Sequence, residues 1–240
     1  MTIIEVSDAI GRQVAGHLER DILSWKLQPA TRLTEEEVGR LYGVSRSPVR
    51  EAFWILERDG LLVREGRRVA VAPVSVQDLD EVYSCRVVLD GLAVEQAASN
   101  ASAAQFEDMQ VLLGRMTVAA QQAQSGTYFE ANRSLWSLYR VAAGNATLAK
   151  LLEGIGKRAL RYRSVAYAND PDLLTISVAA NTVITQAMQS GAAAEAKAAS
   201  EQLIRRGWRV IRQHLEKSGF EPRPAPARRS RPPAQENRSP

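Results

Sequence analysis

"YGVSRSPVREAFWILERDGLL", residues 42–62, contains the segment that decides the fold. Gly43 marks a tight turn, Ser45 offers a helix cap, and Pro48 falls in the first helical turn, where a missing amide proton costs nothing. Val49, Ala52, Phe53 and Leu56 recur at helical spacing, and Asp59-Gly60 ends the run. Arg46 and Arg50 stand at the start of this helix. The backbone dipole disfavours a cation there by roughly a few tenths of a kcal/mol. That placement makes sense where the helix end meets an anion. A helix that points its first turns into a DNA major groove brings such arginines to guanine edges or phosphates.

The residues on either side complete the pattern. A helix is expected over 7–26, with Ile10, Val14, Leu18, Ile22 and Leu23 on one face. Thr34 and Glu37 have the spacing of a capping box, and Val38 and Leu41 are expected to face inward from a second short helix. Downstream, 61–64 and 69–72 read as two short strands around the turn "EGRR". Three helices and a hairpin make a winged helix-turn-helix. In this reading Ser45 and Ser47, with the free amides, hold a phosphate. Arg67 and Arg68 at the hairpin tip reach the flanking backbone or minor groove. Solvated surface charge is the competing description. Two arginines one turn apart on the third helix, joined by a basic hairpin tip, favour DNA.

Beyond Ser75 the character changes. Residues 76–99, 102–124, 127–143, 146–169, 172–190 and 192–217 all read as helices rich in alanine and leucine, with no strand signal. Six helices of this length form an antiparallel bundle with room for a small ligand between them. The stretch 220–240 is rich in Pro, Arg and Ser and is expected to be disordered. The expected organisation is thus mainly α: a winged helix-turn-helix over 1–74, an all-α antiparallel helical bundle over 75–219, and the tail.

Charge alone does not make the nucleic-acid case. The chain has 31 basic and 27 acidic residues and a sequence pI near 9.4. From Arg205 onward lie ten of the basic and three of the acidic residues, leaving 21 against 24 in the rest. The body is mildly acidic, so DNA binding has to rest on where the cations sit. The tail arginines 228, 229 and 231 are expected to add salt-sensitive nonspecific affinity. Cys85 is the single cysteine, which excludes an intrachain disulfide. No apolar run approaches the ~18 residues of a membrane span, and the start lacks a secretory pattern. A cytoplasmic protein is expected. No Gly-rich phosphate loop or nucleophile–histidine motif is present, so an enzyme is not expected.

The segment "LTEEEVGRLYGVSRSPVREAFWILERDGLLVREGRRVAV" resembles the DNA-binding domain of the GntR family of bacterial transcriptional regulators, "VSRSPVREA" being close to that family's most characteristic run. Ala30 stands in the usual glycine place of the upstream "l-x-PG-x-x-L" pattern, and Arg68 where the wing normally has its second glycine. The helical half is similar to the FCD effector domain of the FadR subfamily. "LDEVYSCRVVLDGLAVEQAA" resembles that domain's opening, with Arg86 in its arginine place and Asp90 in its glutamate place. Six helices rather than seven suggest the VanR-type branch. The resemblance implies a dimer on a palindromic operator and a small organic effector in the bundle, most simply a repressor released by a metabolite.

Many such domains bind a divalent metal through an aspartate and three histidines. By motif, those places here hold Asn132, Trp136, Asn181 and Leu203, so neither metal nor other cofactor is expected. Asn132, Trp136 and Asn181 are instead candidates to hydrogen-bond or stack on an organic effector. Arg86 is the candidate for holding a carboxylate, with Arg140, Arg161, Tyr162 and Arg163 as additional cations and a phenol. Several alternatives remain open. Trp136 and Leu203 fill the old metal space, Asn132 and Asn181 cap one another, Arg86 forms a structural pair with Asp90, or the 158–163 cluster is a solvated face. A filled pocket defines the rival function, an effector-blind DNA-binding and dimerisation protein.

Overall fold

The helix-turn-helix forms around one buried seam. The computed structural model describes the backbone at residues 5–66, 68–169 and 172–217, with side chains described from residue 9 on except 67, 163–172 and those past 217. Arg67, Arg163 and the 220–240 tail therefore lie outside the described residues or side chains. Helix α1 (Glu5–Leu23) buries Val14, Ala15, Leu18 and Ile22 against Val49, Ala52, Phe53 and Leu56 of α3 (Arg46–Arg58). Burying a side chain of this size stabilises by about 1.5–3 kcal/mol, so this seam dominates the head. Between them runs α2 (Glu35–Tyr42), closed by Gly43 in the left-handed region at φ 67°, which lets the chain turn straight into α3.

The hairpin is β2 (Leu62–Glu65) and β3 (Arg68–Val71), paired antiparallel from Leu62↔Val71 to Glu65↔Arg68. A third strand, β1 (Arg32–Leu33), pairs with β3 on its other side, giving the order β1-β3-β2. Two residues are too few to show alternation, so the sequence gives no strand signal there. Leu62, Val69 and Val71 close the head's core from below.

Three local expectations need correction. Leu41 is 67% exposed rather than inward. Val38, Gly39 and Tyr42 form the covered side of α2, and Leu41 points roughly 100° from the middle of that side. Glu37 meets the Thr34 hydroxyl (2.7 Å) rather than the Thr34 amide, while the Glu37 amide donates to that hydroxyl (3.1 Å) as a cap should. Ser45 is the N-cap of α3 but makes no side-chain cap bond. The third helical residue is Pro48, which lacks the amide that such a hydroxyl usually accepts from.

Six helices follow: α4 (Val76–Asn100), α5 (Ala103–Gln121), α6 (Ser125–Ala142), α7 (Ala146–Asn169), α8 (Asp172–Gln189) and α9 (Ala193–Lys217). With α1–α3 they make nine helices among the described residues. Their ends follow capping chemistry. Ser75 accepts from the Asp78 amide, and Ser102 and Gln105 form a full capping box. Helix α4 is central. It packs along α9 and touches α6, α7 and α8, and it buries a wide band from Leu79 to Ala97 that includes Arg86 and Asp90.

A candidate DNA-reading face and a small cavity

On the head, the exposed side of α3 carries Arg46, Ser47 and Arg50. Arg46 and Arg50 side chains are 66% and 54% exposed, yet neither guanidinium stands alone. Arg46 Nη2 donates to Glu36 (2.9 Å), and Arg50 grips Glu35 through Nε and Nη2, both at 2.9 Å. The hydrogen bond from Arg50 holds the Glu35 carboxyl below its ordinary pKa, and Glu35 in turn raises that of Arg50. Both glutamates open α2, where the dipole welcomes them. The pairing across the two helices is tertiary, and residue types alone do not announce it.

An open groove of about 340 Å³ lies between the starts of α2 and α3 and the sheet. Arg32, Arg46, Arg64 and Arg68 line it, facing Glu35 and Glu36. Arg32 and Arg64 carry no sequence signal for this groove, because each sits in a strand whose neighbour is set only by folding. Arg64 also bonds Glu57 at 2.5 and 3.2 Å.

In the bundle, Arg86 and Trp136 come to one small cavity of about 30 Å³, shared with Tyr83, Ser177, Leu203 and the exposed Arg206. Asn132 and Asn181 stand one helical turn back, behind Trp136 and Ser177 respectively. They do not cap one another. The Asn132 amide donates to Tyr128 Oη (3.3 Å), and the Asn181 amide to the Ser177 carbonyl (2.8 Å). Among the described residues, three buried polar atoms here find no partner: Asn132 Oδ1, Trp136 Nε1 and Asn181 Oδ1. The neighbouring polar atoms are better served, since Tyr139 Oη bonds Thr185 Oγ1 at 2.7 Å; burial raises the Tyr139 pKa far above the ordinary phenol range.

Beneath the cavity, Asp90 is fully buried between two guanidiniums. Its Oδ2 accepts from Arg86 Nε (3.0 Å) and lies 2.9 Å from Arg86 Nη2 in an ion pair, and its Oδ1 accepts from Arg140 Nε (3.2 Å) and Nη2 (3.0 Å). Arg86 also lies 5.1 Å from the Tyr83 ring centre. The open alternative for Arg86 is thereby resolved: it pairs with Asp90 and lines the cavity as well. Two cations on one carboxylate leave a net positive charge at the cavity floor.

The donor set left at the old metal places does not fit a divalent ion. Two amide oxygens are weak ligands, the indole N–H is a donor that repels cations, and Leu203 offers nothing. Among the described residues no group of three or more His, Cys, Asp or Glu comes together.

Of the 158–163 cluster, Arg158, Arg161 and Tyr162 form a junction and not a solvated face, while the Arg163 side chain lies outside those described. Arg161 and Tyr162 are buried. Arg161 Nη1 donates to the Ala72 carbonyl (2.8 Å), and its own carbonyl accepts from Trp25 Nε1 (3.1 Å). Asp78 receives Arg158, Arg161 and the Tyr162 hydroxyl. Beside them, Lys157 Nζ bridges Asp59 (2.7 Å) and Glu19 (3.1 Å). Burial pulls the Lys157 pKa down, but the two carboxylates overcome this and leave it raised. At Gly60, in the left-handed region at φ 70°, an added Cβ would sit 2.7 Å from Arg158 Cδ. Residues 157–162 of α7 thus clasp the head. One residue earlier, Gly156 has Arg140 Nη1 3.2 Å from where a Cβ would be, so the buried triad abuts the clasp.

A winged helix-turn-helix with an arginine-bearing third helix, set on a six-helix bundle, defines a DNA-binding transcriptional regulator with an all-helical second half. Residues 10–71 match the bacterial regulatory proteins of the gntR family, and residues 81–206 match the FCD domain. The chain belongs to the GntR family, in the group whose second half is an FCD domain. It is 29% identical over 169 residues to the HTH-type transcriptional regulator YdhC of Bacillus subtilis, covering 68% of this chain and 74% of that one. It is 26% identical to the HTH-type transcriptional repressor RspR of Escherichia coli, covering 72% and 77%. The solved structure of E. coli McbR/YncC shares the fold, with a TM-score of 0.75 at 20% identity over 86% of this chain and 98% of that one. These relatives are transcriptional regulators, not enzymes. No described helix is long and apolar enough to cross a membrane.

Proposed function

We propose that the protein is a cytoplasmic, homodimeric repressor that reads a palindromic operator and responds to a small organic effector, a carboxylate, in a metal-free cavity. In this reading residues 1–74 form the DNA-binding domain and 75–219 the effector-binding and dimerisation domain. Ser45, Arg46, Ser47, Arg50, Arg67 and Arg68 face DNA, and each head takes one half-site. The similarity to RspR, itself named a repressor, supports repression. Arg46 and Arg50 must leave Glu36 and Glu35 to reach DNA. Exposed ion pairs are worth about 0–1 kcal/mol, whereas a good bidentate base contact discriminates by about 1–3 kcal/mol, so the exchange favours DNA.

The observation that carries the effector half is the set of three orphan atoms, on Trp136 at a cavity lined by Arg86 and on Asn132 and Asn181 one helical turn behind its lining. Buried polar groups are almost always bonded, so such a cluster points to a missing partner. That partner would set its carboxylate against Arg86, braced by Asp90 and Arg140, and offer polar atoms to the amides and the indole. One observation favours the second reading, an effector-blind protein with a filled pocket: about 30 Å³ holds water but no organic molecule. The deciding experiment is a thermal-shift screen of small carboxylates and aromatics, followed by operator release in a gel shift. A compound that raises the melting temperature and releases DNA, with both effects lost in Arg86→Ala, supports sensing. A screen in which nothing binds supports the filled pocket. Arg46→Ala or Arg50→Ala should weaken specific DNA binding by about 1–3 kcal/mol with folding intact; unchanged affinity would reject the assignment.

A further inference from the structure

The exposed residues of α3 hold one member that charge-based reasoning passes over. Residues 46, 47, 50, 54 and 58 are the fully exposed positions of the helix, and position 54 is a tryptophan, 61% exposed. At about 100° per residue, Arg50 lies roughly 40° and Trp54 roughly 80° around the helix from Arg46, with Ser47 at roughly 100°. Trp54 therefore projects between Arg50 and Ser47, in the middle of the face that meets DNA. It stands eight residues beyond Arg46, about 12 Å along the axis. Val49, Ala52, Phe53 and Leu56 already supply the inward side, so the core makes no demand on position 54. An indole left in water on a face of arginines and serines is an unusual choice for a solvated surface.

Resting on the DNA-reading face proposed above, we infer that Trp54 is a direct, specificity-determining contact of the recognition helix. It reaches DNA in the third helical turn, beyond the bases addressed by Arg46. Its apolar rim packs on a thymine methyl or a deoxyribose, both apolar surfaces that a major groove presents to a wide ring. Nε1–H is a donor for a base-edge or phosphate oxygen at the same place. The arginines supply contacts that weaken with salt, and Trp54 supplies one that does not. The operator half-site accordingly extends past the arginine-read bases to a position where thymine is preferred.

The probe is the tightest duplex recovered by wild-type protein from a random pool; if the wild type recovers none, the DNA reading itself falls, and this inference with it. On that duplex, Trp54→Ala should bind about tenfold more weakly, the equivalent of about 60 Å² of apolar contact. Its salt dependence should keep the wild-type slope, since no phosphate neutralisation is lost. Reselection with Trp54→Ala should relax preference at one outer position of each half-site. Of the four tryptophans only Trp54 is exposed, so saturating DNA should change the wild-type emission, and Trp54→Phe should abolish that change. The circular-dichroism melt of either variant should match the wild type. Equal affinity of Trp54→Ala, or an indole emission indifferent to bound DNA, would overturn the inference and leave the ring as a contact for some other macromolecule. A weakened variant whose salt slope falls by about one charge would also overturn it, because Trp54 would then act only through its arginine neighbours.

Discussion

Removing the Asp90 carboxylate tests the cavity floor directly. Asp90 accepts three hydrogen bonds from Arg86 and Arg140, is itself fully buried, and faces an Arg86 side chain only 2% exposed. Asp90→Ala leaves two guanidiniums close together, one of them almost fully buried. Breaking a buried pair from one side costs about 3–5 kcal/mol, because the surviving charge is stranded. For a chain of this size that corresponds to a melting temperature lower by about 6–20 °C. The vacated space has the shape of a carboxylate, so added formate should restore part of the loss in Asp90→Ala. It should not do so in Asp90→Asn, where the amide fills the gap and turns a donor toward a cation. Differential scanning fluorimetry with and without formate reads all three proteins. A melting temperature for Asp90→Ala equal to the wild type would refute the buried triad. Equal stabilisation of all three by formate would refute a carboxylate-selective floor.

Further outcomes follow from other residues. Ala30 sits in the left-handed region at φ 65°, which costs a non-glycine residue about 1–2 kcal/mol. Allowing for the extra freedom of glycine in the unfolded chain, Ala30→Gly should stabilise by about 0.5–1 kcal/mol; a lower melting temperature would refute this. Lys157→Met should destabilise by about 1–3 kcal/mol, between an exposed and a buried pair, because Asp59 and Glu19 lose their shared cation. It should also raise hydrogen exchange at the junction between head and bundle, and protection equal to wild type would refute the clasp. Chelation by EDTA should alter neither the melting temperature nor operator release, and a clear drop would overturn the metal-free cavity.

Most of the fold is legible in the sequence because its signals are local. All six bundle helices fall within a few residues of where their breaks put them, and the seam of α3 is read directly from Val49, Ala52, Phe53 and Leu56. What escapes is set by contacts distant in sequence. The strand Arg32–Leu33 exists only because β3 passes beside it. Leu41 looks apolar and periodic, yet a two-turn helix has one covered side and Leu41 is off it. Ser45 looks like a cap until Pro48 is noticed three residues on. The proline permits the helix to start and at the same time removes the amide that the cap would use. In the candidate cavity, Arg86 and Trp136 are found by motif, and the Arg86–Asp90 pair by its spacing of four. Arg140 joining that pair, and Arg161 turning away to the head, are tertiary facts: guanidiniums on helices that look equally solvated go to different carboxylates.

The small volume of the cavity also bears on how an effector would act. About 30 Å³ admits a water, so an organic effector can enter only if the bundle widens around Trp136. A ligand that fits one arrangement and not the other has, by that fact, the differential affinity on which any shift of equilibrium depends. The orphan atoms set its scale. Satisfying Asn132 Oδ1, Trp136 Nε1 and Asn181 Oδ1 at about 1 kcal/mol each gives about 3 kcal/mol, roughly a hundredfold change in population. The route to the head is short. Arg140 lies on Gly156, and the next residue, Lys157, begins the clasp to Asp59 and Glu19. A displacement of Arg140 that followed Arg86 and Asp90 toward an incoming carboxylate would bear on α7 at the point where α7 holds the DNA-binding head. If so, Gly156→Ala, which crowds Arg140 without touching cavity or DNA, should leave effector affinity and operator affinity measurable but weaken the coupling between them. A variant in which effector still releases operator with wild-type potency would show that the signal travels by another path.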